Sequence, residues 1–290
     1  MRGIFVWPAA LLVIVLSAAC GKSNRIIIGS KTDTEQIVLG EIVAQHLDRR
    51  LGAIVERRLN LGNTAILYQS ILSGDVSIYP EYTGVIQAEI LKEQPAPDPQ
   101  IILERTRSQM PLVAQLELMD PLGFDNPPVI VVHASDAPGI QTLGEAAGKD
   151  IRWKLGVDFE FQQIAGGLSA LSKYRLPMAV APRSMNQKEL FDKLTAGDVT
   201  MIATRATDGH LTSPEWKVLA DDRKVFTTYQ ACLLVRQDKL AQTPQLRAAL
   251  AELSGKFSVE TMRKLNAQVE VEHRPVAAVA SEFLAQAGLR

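Results

Sequence analysis

Residues 26–36 have the sequence Ile-Ile-Ile-Gly-Ser-Lys-Thr-Asp-Thr-Glu-Gln, in which a β-branched apolar run passes through Gly29 and Ser30 into polar residues. This order predicts a buried strand, a tight turn and a helix start. A helix N-terminus offers unpaired backbone N–H groups and a partial positive charge to a polar or anionic group. The stretch is typical of one wall of a small-molecule cleft, or of an ordinary strand-to-helix connection. Taken alone, it favours the connection.

The composition is that of an ordinary globular protein. The chain has 290 residues, of which 47% are apolar and 22% are charged, and this suits one large or two medium domains. Lys and Arg number 31 against 32 Asp and Glu, which gives a net charge of −1. Because there is no basic excess, the sequence argues against nucleic acid or an anionic membrane surface as a partner.

Residues 1–20 have the pattern of a secretory signal peptide. Arg2 precedes the apolar residues 4–16, which are too few for a membrane span, and small residues lead to Cys20. Cys20 follows two alanines as in a bacterial lipoprotein box, so we expect a lipidated, membrane-tethered protein in the periplasm. Ser17 stands where leucine is usual, which leaves ordinary cleavage and a soluble exported product as the alternative.

The other cysteine, Cys232, lies in the apolar run 231–235. With Cys20 lipidated or removed, no disulfide can form. Cys232 is therefore predicted to be a small buried hydrophobic residue.

The first hundred residues alternate predicted strands and helices with short connections. Such alternation implies parallel strands, right-handed crossovers and an α/β sheet. Ligands lie outside the carboxyl ends of strands in these sheets, so residues 30–36 and 80–84 are predicted to share one rim. The expected elements are strands at 26–28, 55–59 and 76–79, the last one halted by Pro80, and helices at 34–51 and 65–72.

A turn-rich segment, residues 119–128, leads into a second unit of the same kind. Residues 228–236 then carry the chain back, and three helices at 244–253, 259–265 and 275–287 complete the fold. In the second unit, strands are predicted at 129–132, 154–157, 178–181 and 199–203, and helices at 167–174 and 187–194.

Catalytic and metal-binding signatures are absent from the sequence. There is no His-Glu-x-x-His, Cys-x-x-Cys, Gly-x-Ser-x-Gly or P-loop pattern, and no two histidines have metal-ligand spacing. Asp158 and Glu160 are expected to share one face of an extended segment without an acid or base partner, which argues against acid–base catalysis. The sequence predicts a binding protein rather than an enzyme, with no cofactor and no metal.

A set of motifs in order resembles the substrate-binding proteins of osmoprotectant ABC importers, which bind glycine betaine, choline and carnitine. The most specific is Tyr-Pro-Glu-Tyr-Thr-Gly, residues 79–84; others are Leu-Asn-Leu-Gly-Asn-Thr, Pro-Leu-Gly-Phe-Asp-Asn and Gly-Val-Asp-Phe-Glu-Phe. The resemblance implies a type II periplasmic-binding-protein fold, a monomer that closes two α/β lobes on a small ligand and delivers it to an ABC permease and its ATPase. The implied lobes are residues 21–127 with 229–290, and residues 128–228.

The resemblance also implies a ligand site. In that family a quaternary ammonium lies in a cage of tyrosines, because the cation is attracted to the ring faces. Lys31 and Gln36 match polar contributors on the first turn, Tyr82 and Tyr229 match cage tyrosines, and Asn126 belongs to the matching Gly-Phe-Asp-Asn motif.

Three positions depart from the family pattern. Expected cage tyrosines fall on Pro128 and Arg205, and the expected carboxylate-binding arginine falls near Ile164. Each lost aromatic face forfeits about 0.5–2 kcal/mol of cation binding. Either Arg205 points to solvent or pairs with Asp208, which leaves a weak betaine site, or it binds the carboxylate of an anionic or zwitterionic ligand beside Tyr82 and Tyr229.

Two function classes remain open at this point. The first is the extracytoplasmic solute-binding component of an ABC importer. The second is a sensor or scaffold of the same fold that does not feed transport.

Overall fold

The computed structural model describes residues 25–52, 55–93, 96, 98–163, 166–227 and 229–289. The predicted signal segment with Cys20, and the position Ile164, lie outside these residues. Within the described part of the chain, every helix is too short or too polar to serve as a membrane span.

The strands form two five-stranded sheets, ordered β2-β1-β3-β10-β4 in the first lobe and β7-β6-β8-β5-β9 in the second. The predicted two-lobed α/β architecture is confirmed. The strands are β1 (Ile27–Lys31), β2 (Glu56–Gly62), β3 (Ile78–Tyr82), β4 (Leu116–Leu118), β5 (Pro128–His133), β6 (Leu155–Val157), β7 (Arg183–Ser184), β8 (Met201–Arg205), β9 (Trp216–Leu219) and β10 (Ala231–Arg236).

Helices cover the faces of both sheets. They are α1 (Thr34–Leu51), α2 (Thr64–Ser73), α3 (Thr83–Val85), α4 (Pro99–Ala114), α5 (Leu143–Ala147), α6 (Phe159–Gln163), α7 (Leu168–Leu171), α8 (Leu190–Thr195), α9 (Gln237–Gln242), α10 (Pro244–Ala251), α11 (Val259–Glu270) and α12 (Val276–Gln286). A 3₁₀ turn, Gly209–Thr212, follows β8.

The first sheet is parallel where β1 pairs with β2 and β3, as predicted, but β10 runs antiparallel to β3 and β4. The prediction that Pro80 ends the third strand is wrong, since β3 continues to Tyr82. Thr83 N donates to Gln230 O. Because hydrogen-bonded residues alternate along an antiparallel pair, the odd-numbered residues of β3 form the backbone hydrogen bonds with β10. Pro80 faces away from that ladder, where its missing N–H costs nothing.

The second sheet differs from the prediction at two places. Residues 178–181 form no strand; Met178 makes only an isolated bridge to Trp153, and β7 supplies the pairing with β6 instead. The segment after Val157 is not extended but helical, because the Asp158 carboxylate caps α6 by accepting a hydrogen bond from Phe161 N (2.6 Å). Asp158 and Glu160 therefore do not share a strand face.

Each sheet has an apolar core on both of its faces. In the first lobe α1 packs its buried stripe of Leu39, Ile42, Val43 and Leu47 on one face, and Cys232 lies in the cluster on the other. Cys232 is fully buried, as predicted, and burial raises the pKa of its thiol to about 12.

The chain passes between the lobes at two adjacent segments. Asp125 forms a bridge with Gln230, and Asn126 N donates to Tyr229 O (3.0 Å). Pro128 then opens the first strand of the second sheet. The lobe boundaries 21–127, 128–228 and 229–290 stay a prediction, because α11 packs on both lobes.

Helix α11 packs against α1 and α12 and also contacts residues 206–210, which follow β8 in the second lobe. Arg263 Nε donates to Ala206 O (2.6 Å), and Asn266 Nδ2 donates to Thr207 O (2.9 Å). Gly209 lies directly on the backbone of Ala267. One face of α11 thus holds the second lobe by hydrogen bonds and close backbone packing.

We expect Gly209→Ala to lower the free energy of unfolding by about 1–3 kcal/mol through overpacking. The added Cβ would lie 2.6 Å from the backbone N of Ala267, so one of the two backbones must shift. Denaturant titration measures the change. In the matched control Gly148→Ala, the new Cβ meets nothing closer than 3.6 Å, and we expect a change within about 0.5 kcal/mol. Equal losses in the two variants would contradict the close junction.

Candidate functional site

The turn from β1 into α1 places the first two predicted residues. Asp33 caps α1 by accepting from Gln36 N (3.0 Å). The Gln36 side chain is fully buried, and both of its amide atoms lack a hydrogen-bond partner among the described residues. Lys31 Nζ donates to Glu81 Oε1 (2.5 Å) and to Thr64 Oγ1 (3.2 Å). The Lys31 charge is therefore neutralised inside the first lobe, while Gln36 keeps an unused amide.

Tyr82 ends β3 on the same rim as this turn, as the sequence predicted. It is 8% exposed, and its hydroxyl donates to the carboxylate of Glu35. Lys31 Nζ lies 5.6 Å from the centroid of the Tyr82 ring. The ring is thus fixed at its hydroxyl end and already has one cation of the protein near it.

The Glu35 carboxylate accepts hydrogen bonds from three side chains in different parts of the chain. Its Oε1 accepts from Tyr82 and from Asn126 Nδ2 (3.0 Å), and its Oε2 accepts from Asn266 Nδ2 (2.9 Å). Asn126 Oδ1 in turn accepts from Thr207 N (3.2 Å). Burial raises the pKa of the Glu35 carboxyl, while the hydrogen bonds from Tyr82 and Asn266 lower it. The network joins the first lobe, the crossing and the second lobe.

Asn126 was predicted as a site residue, whereas Glu35, Thr207 and Asn266 were not. A signal for Glu35 exists in the sequence, because it is in helical phase with Leu39 and Ile42 on the buried stripe of α1. An acidic residue on such a stripe requires buried hydrogen-bond partners. The partners themselves lie at distant positions and could not be read from the spacing.

Two of the three positions that break the family pattern are neighbours in space. Pro128 and Arg205 are direct partners in the antiparallel pairing of β5 with β8. The departures therefore change one patch of the second-lobe wall rather than two separate places.

Arg205 lies between Glu160 and Tyr229. Its Nη2 donates to Glu160 Oε1, and its guanidinium carbon lies 5.4 Å from the centroid of the Tyr229 ring. The alternative in which Arg205 pairs with Asp208 is wrong, since Asp208 instead accepts from Thr204 Oγ1 (2.5 Å) and from His210. The Glu160 side chain is 59% exposed, so its pairing with Arg205 is open to exchange with solvent or ligand.

Carboxylates surround this patch. Burial raises the pKa of Asp33 and of Asp158, and Glu160 adds to both shifts through its like charge. Arg205 lowers the pKa of Asp158 by its positive charge. The candidate site thus combines two aromatic rings, each beside a cation of the protein, with a group of nearby carboxylates.

Comparison with known proteins agrees with this architecture. Residues 24–286 match the family model described as the substrate binding domain of ABC-type glycine betaine transport systems. A solved glycine betaine/carnitine/choline ABC transporter structure superposes with a TM-score of 0.82 at 24% identity and covers 91% of this chain and 99% of that one. At that identity, the superposition shows the fold alone, and it confirms the type II binding-protein fold.

Two curated relatives are similar along most of the chain. The carnitine transport binding protein OpuCC of Listeria monocytogenes is 28% identical over 90% of this chain and 86% of its own length. The ergothioneine transport permease/ergothioneine binding protein EgtU of Helicobacter pylori is 26% identical over 99% of this chain. The chain spans only 53% of the Helicobacter protein. Since the family model covers nearly the whole described chain, this protein belongs to the family of substrate binding domains of ABC-type glycine betaine transport systems.

Proposed function

We propose that this chain is the extracytoplasmic solute-binding component of an ABC importer, and that it binds a small zwitterion whose carboxylate lies on Arg205. Family membership supports the first part. The second part rests on one observation: Arg205 lies over Tyr229, at the patch where the family pattern has aromatic residues.

Charge decides which end of a ligand faces this patch. A ligand ammonium against Tyr229 would meet the Arg205 guanidinium, and two like charges about 4 Å apart repel by about 4 kcal/mol at an effective dielectric constant of about 20. A carboxylate instead gains a bidentate, charge-assisted pair with the guanidinium fork. The ligand carboxylate would replace Glu160 as the partner of Arg205. This exchange costs little free energy, because the exposed Glu160 side chain is then solvated by water.

The cationic end would then face the first lobe. Tyr82 supplies a ring there, the Lys31 charge beside that ring is paired with Glu81, and the carboxyl group of Asp33 lies on the same turn. The unpartnered amide of Gln36 offers a further hydrogen bond. Glycine betaine, carnitine and ergothioneine, the ligands named for the family and the two relatives, all carry both a quaternary ammonium and a carboxylate, and they fit this order of charges.

The partners and the location follow from the same proposal. We infer that a permease and an ATPase receive the solute, that the chain works as a monomer, and that it is exported and held at the membrane by a lipid on Cys20. A protein of this fold that served as a sensor or scaffold would bind the same solute without a neighbouring permease gene.

We expect Arg205→Ala to weaken binding of carboxylate-bearing zwitterions by about 10-fold to 150-fold, the loss of one charge-assisted hydrogen-bonding group. Titration calorimetry with glycine betaine, carnitine and choline measures this. Choline has the same trimethylammonium without a carboxylate, so its binding should be unchanged or strengthened when Arg205 is removed.

Arg152→Ala is the matched control for this experiment. Arg152 is exposed and precedes β6, so its removal changes the charge of the second lobe without touching the site. The control should bind like the wild type. Sub-micromolar binding of glycine betaine that Arg205→Ala leaves unchanged would defeat the proposed ligand orientation.

We expect Glu35→Gln to lower the free energy of unfolding by about 1–3 kcal/mol and to weaken solute binding by loosening Tyr82. The glutamine NH₂ would face Asn266 Nδ2, a second donor. Asn266 cannot turn around, because its Nδ2 also donates to Thr207 O. Denaturant titration and calorimetry on the same samples measure the two effects.

The pH dependence of the free energy of unfolding distinguishes the loss of the Glu35 carboxyl group from a simple packing defect. The folded state holds a proton on Glu35 above the ordinary value of 4.5, so wild-type stability falls as pH rises through the raised pKa. The stability difference between wild type and Glu35→Gln should therefore narrow over that window. Glu272→Gln, an exposed control, should leave the free energy of unfolding unchanged. A constant difference at all pH values would count against a raised pKa of Glu35.

We expect Cys20→Ser to release the exported protein from the membrane fraction into the soluble periplasmic fraction, because a thioether-linked lipid can no longer form. Fractionation and labelling with a radioactive fatty acid measure this in a bacterial host. Unchanged labelling of the Ser variant would show that Cys20 is not the lipidated residue.

A further inference from the structure

A second cluster of chemically active side chains lies where the lobes meet, next to the ligand site but outside it. Asp208 and His210 follow β8 in the second lobe, and Glu270 ends α11 in the first. One oxygen or nitrogen atom from each of these side chains lies within 4.8 Å of the others. Among the described residues, they form the one group of three His, Cys, Asp or Glu side chains at such spacing.

The spacing within the cluster suits coordination of one ion. His210 Nδ1 and Asp208 Oδ1 are 2.9 Å apart. Nitrogen and oxygen ligands that lie about 2.0–2.2 Å from one tetrahedral Zn²⁺ ion are separated by about 3.3–3.6 Å, somewhat more than this hydrogen-bonded distance. An ion therefore needs His210 Nδ1 and Asp208 Oδ1 to move slightly apart and Glu270 to lie within the same spacing, which completes a three-residue site with room for water.

Neighbouring groups hold two of the three side chains in place. Thr204 Oγ1 donates to the other Asp208 oxygen (2.5 Å), and such outer hydrogen bonds orient metal ligands. The His210 ring stacks on Phe191 at 4.4 Å and 18° between planes. The contact of Gly209 with Ala267 sets this turn one helical turn from Glu270. The arrangement is thus built by packing that involves both lobes.

The charges in the cluster are incompletely balanced. Burial raises the pKa of Glu270, and Asp208 raises it further, whereas Thr34 and His210 lower it. The hydrogen bond that His210 Nδ1 donates to Asp208 raises the pKa of His210, and the negative charges of Glu270 and of Asp192 on α8 raise it further. Of the basic residues nearby, Arg263 donates its Nε to Ala206 O. Two carboxylates therefore share one imidazole, and a divalent cation would neutralise both.

We propose that Asp208, His210 and Glu270 bind a Zn²⁺ ion that bridges the two lobes. Imidazole nitrogen and carboxylate oxygen are ligands that Zn²⁺ accepts in proteins with three residues and bound water. On binding, the imidazole gives up any proton on Nδ1, and a protonated Glu270 gives up its own, while Asp208 coordinates as the carboxylate. Because the ligands come from both lobes, the ion would stabilise the contact between α11 and residues 206–210.

Calorimetric titration of the tag-free, EDTA-treated protein with ZnCl₂ tests this site. We expect saturable binding of one ion and a rise of Tm on adding zinc. His210→Ala and Glu270→Gln should each weaken zinc binding at least about tenfold, as the loss of one ligand requires. His133→Ala removes a histidine elsewhere on the second lobe, whose Nδ1 is bound to Ser135, and it should leave zinc binding unchanged.

The dependence on pH provides an independent check. Zinc affinity should fall as pH is lowered from about 8 to about 6, because protons compete for the imidazole. Glu270→Gln conserves side-chain volume, so its fold can be verified by circular dichroism and by solute binding. Absence of zinc binding, or binding that the His210 and Glu270 variants weaken no more than His133→Ala does, would overturn the proposal.

Discussion

The buried carboxylate of Glu35 is the group on which the arrangement of the two lobes depends. An isolated charge in a protein interior is costly, and it is tolerated only where hydrogen bonds replace its hydration. Here those bonds come from Tyr82, Asn126 and Asn266, which lie on a strand, on the crossing between lobes and on α11. The need to satisfy one carboxylate thus orients a ring at the cleft and ties three distant parts of the chain together. Removing the Asn266 amide would take away the hydrogen bond to Glu35 Oε2, at a cost of about 1–3 kcal/mol.

The second-lobe wall carries two departures from the family pattern on one patch. Pro128 and Arg205 pair across two strands, so both departures from the family pattern act on the same patch. Arg205 lies over Tyr229 in the manner of a bound cation, and its partner Glu160 is mostly exposed. The Tyr229 ring is kept, and a guanidinium of the protein lies beside it. The fold stays the same because strand pairing, not the cage, determines the sheet.

Periodicity predicted the elements that are long and amphipathic. Helix α1 runs over Thr34–Leu51, as its 3.6-residue pattern and Gly52 predicted. Periodicity missed β4 and β9, because strands of three and four residues are too short to show a hydrophobic alternation. The sequence prediction was wrong at Pro80, because the residues of β3 that bond to β10 are the odd-numbered ones and Pro80 is not among them. It was wrong after Val157, because the Asp158 carboxylate caps a helix there. Such effects depend on which strand lies opposite or which backbone N–H is free, and neither is visible in a short window of sequence.

By itself the sequence determined the family, the two-lobed α/β fold, the rim that holds Lys31, Gln36 and Tyr82, and the buried state of Cys232, because motif order and hydrophobic period are local properties of the chain. Only the tertiary structure decided that Arg205 pairs with Glu160 rather than Asp208, and that Glu35 and Asn266 meet. Those contacts join residues that are 45 and 231 positions apart. Which charges end up as neighbours follows from how sheets and helices pack.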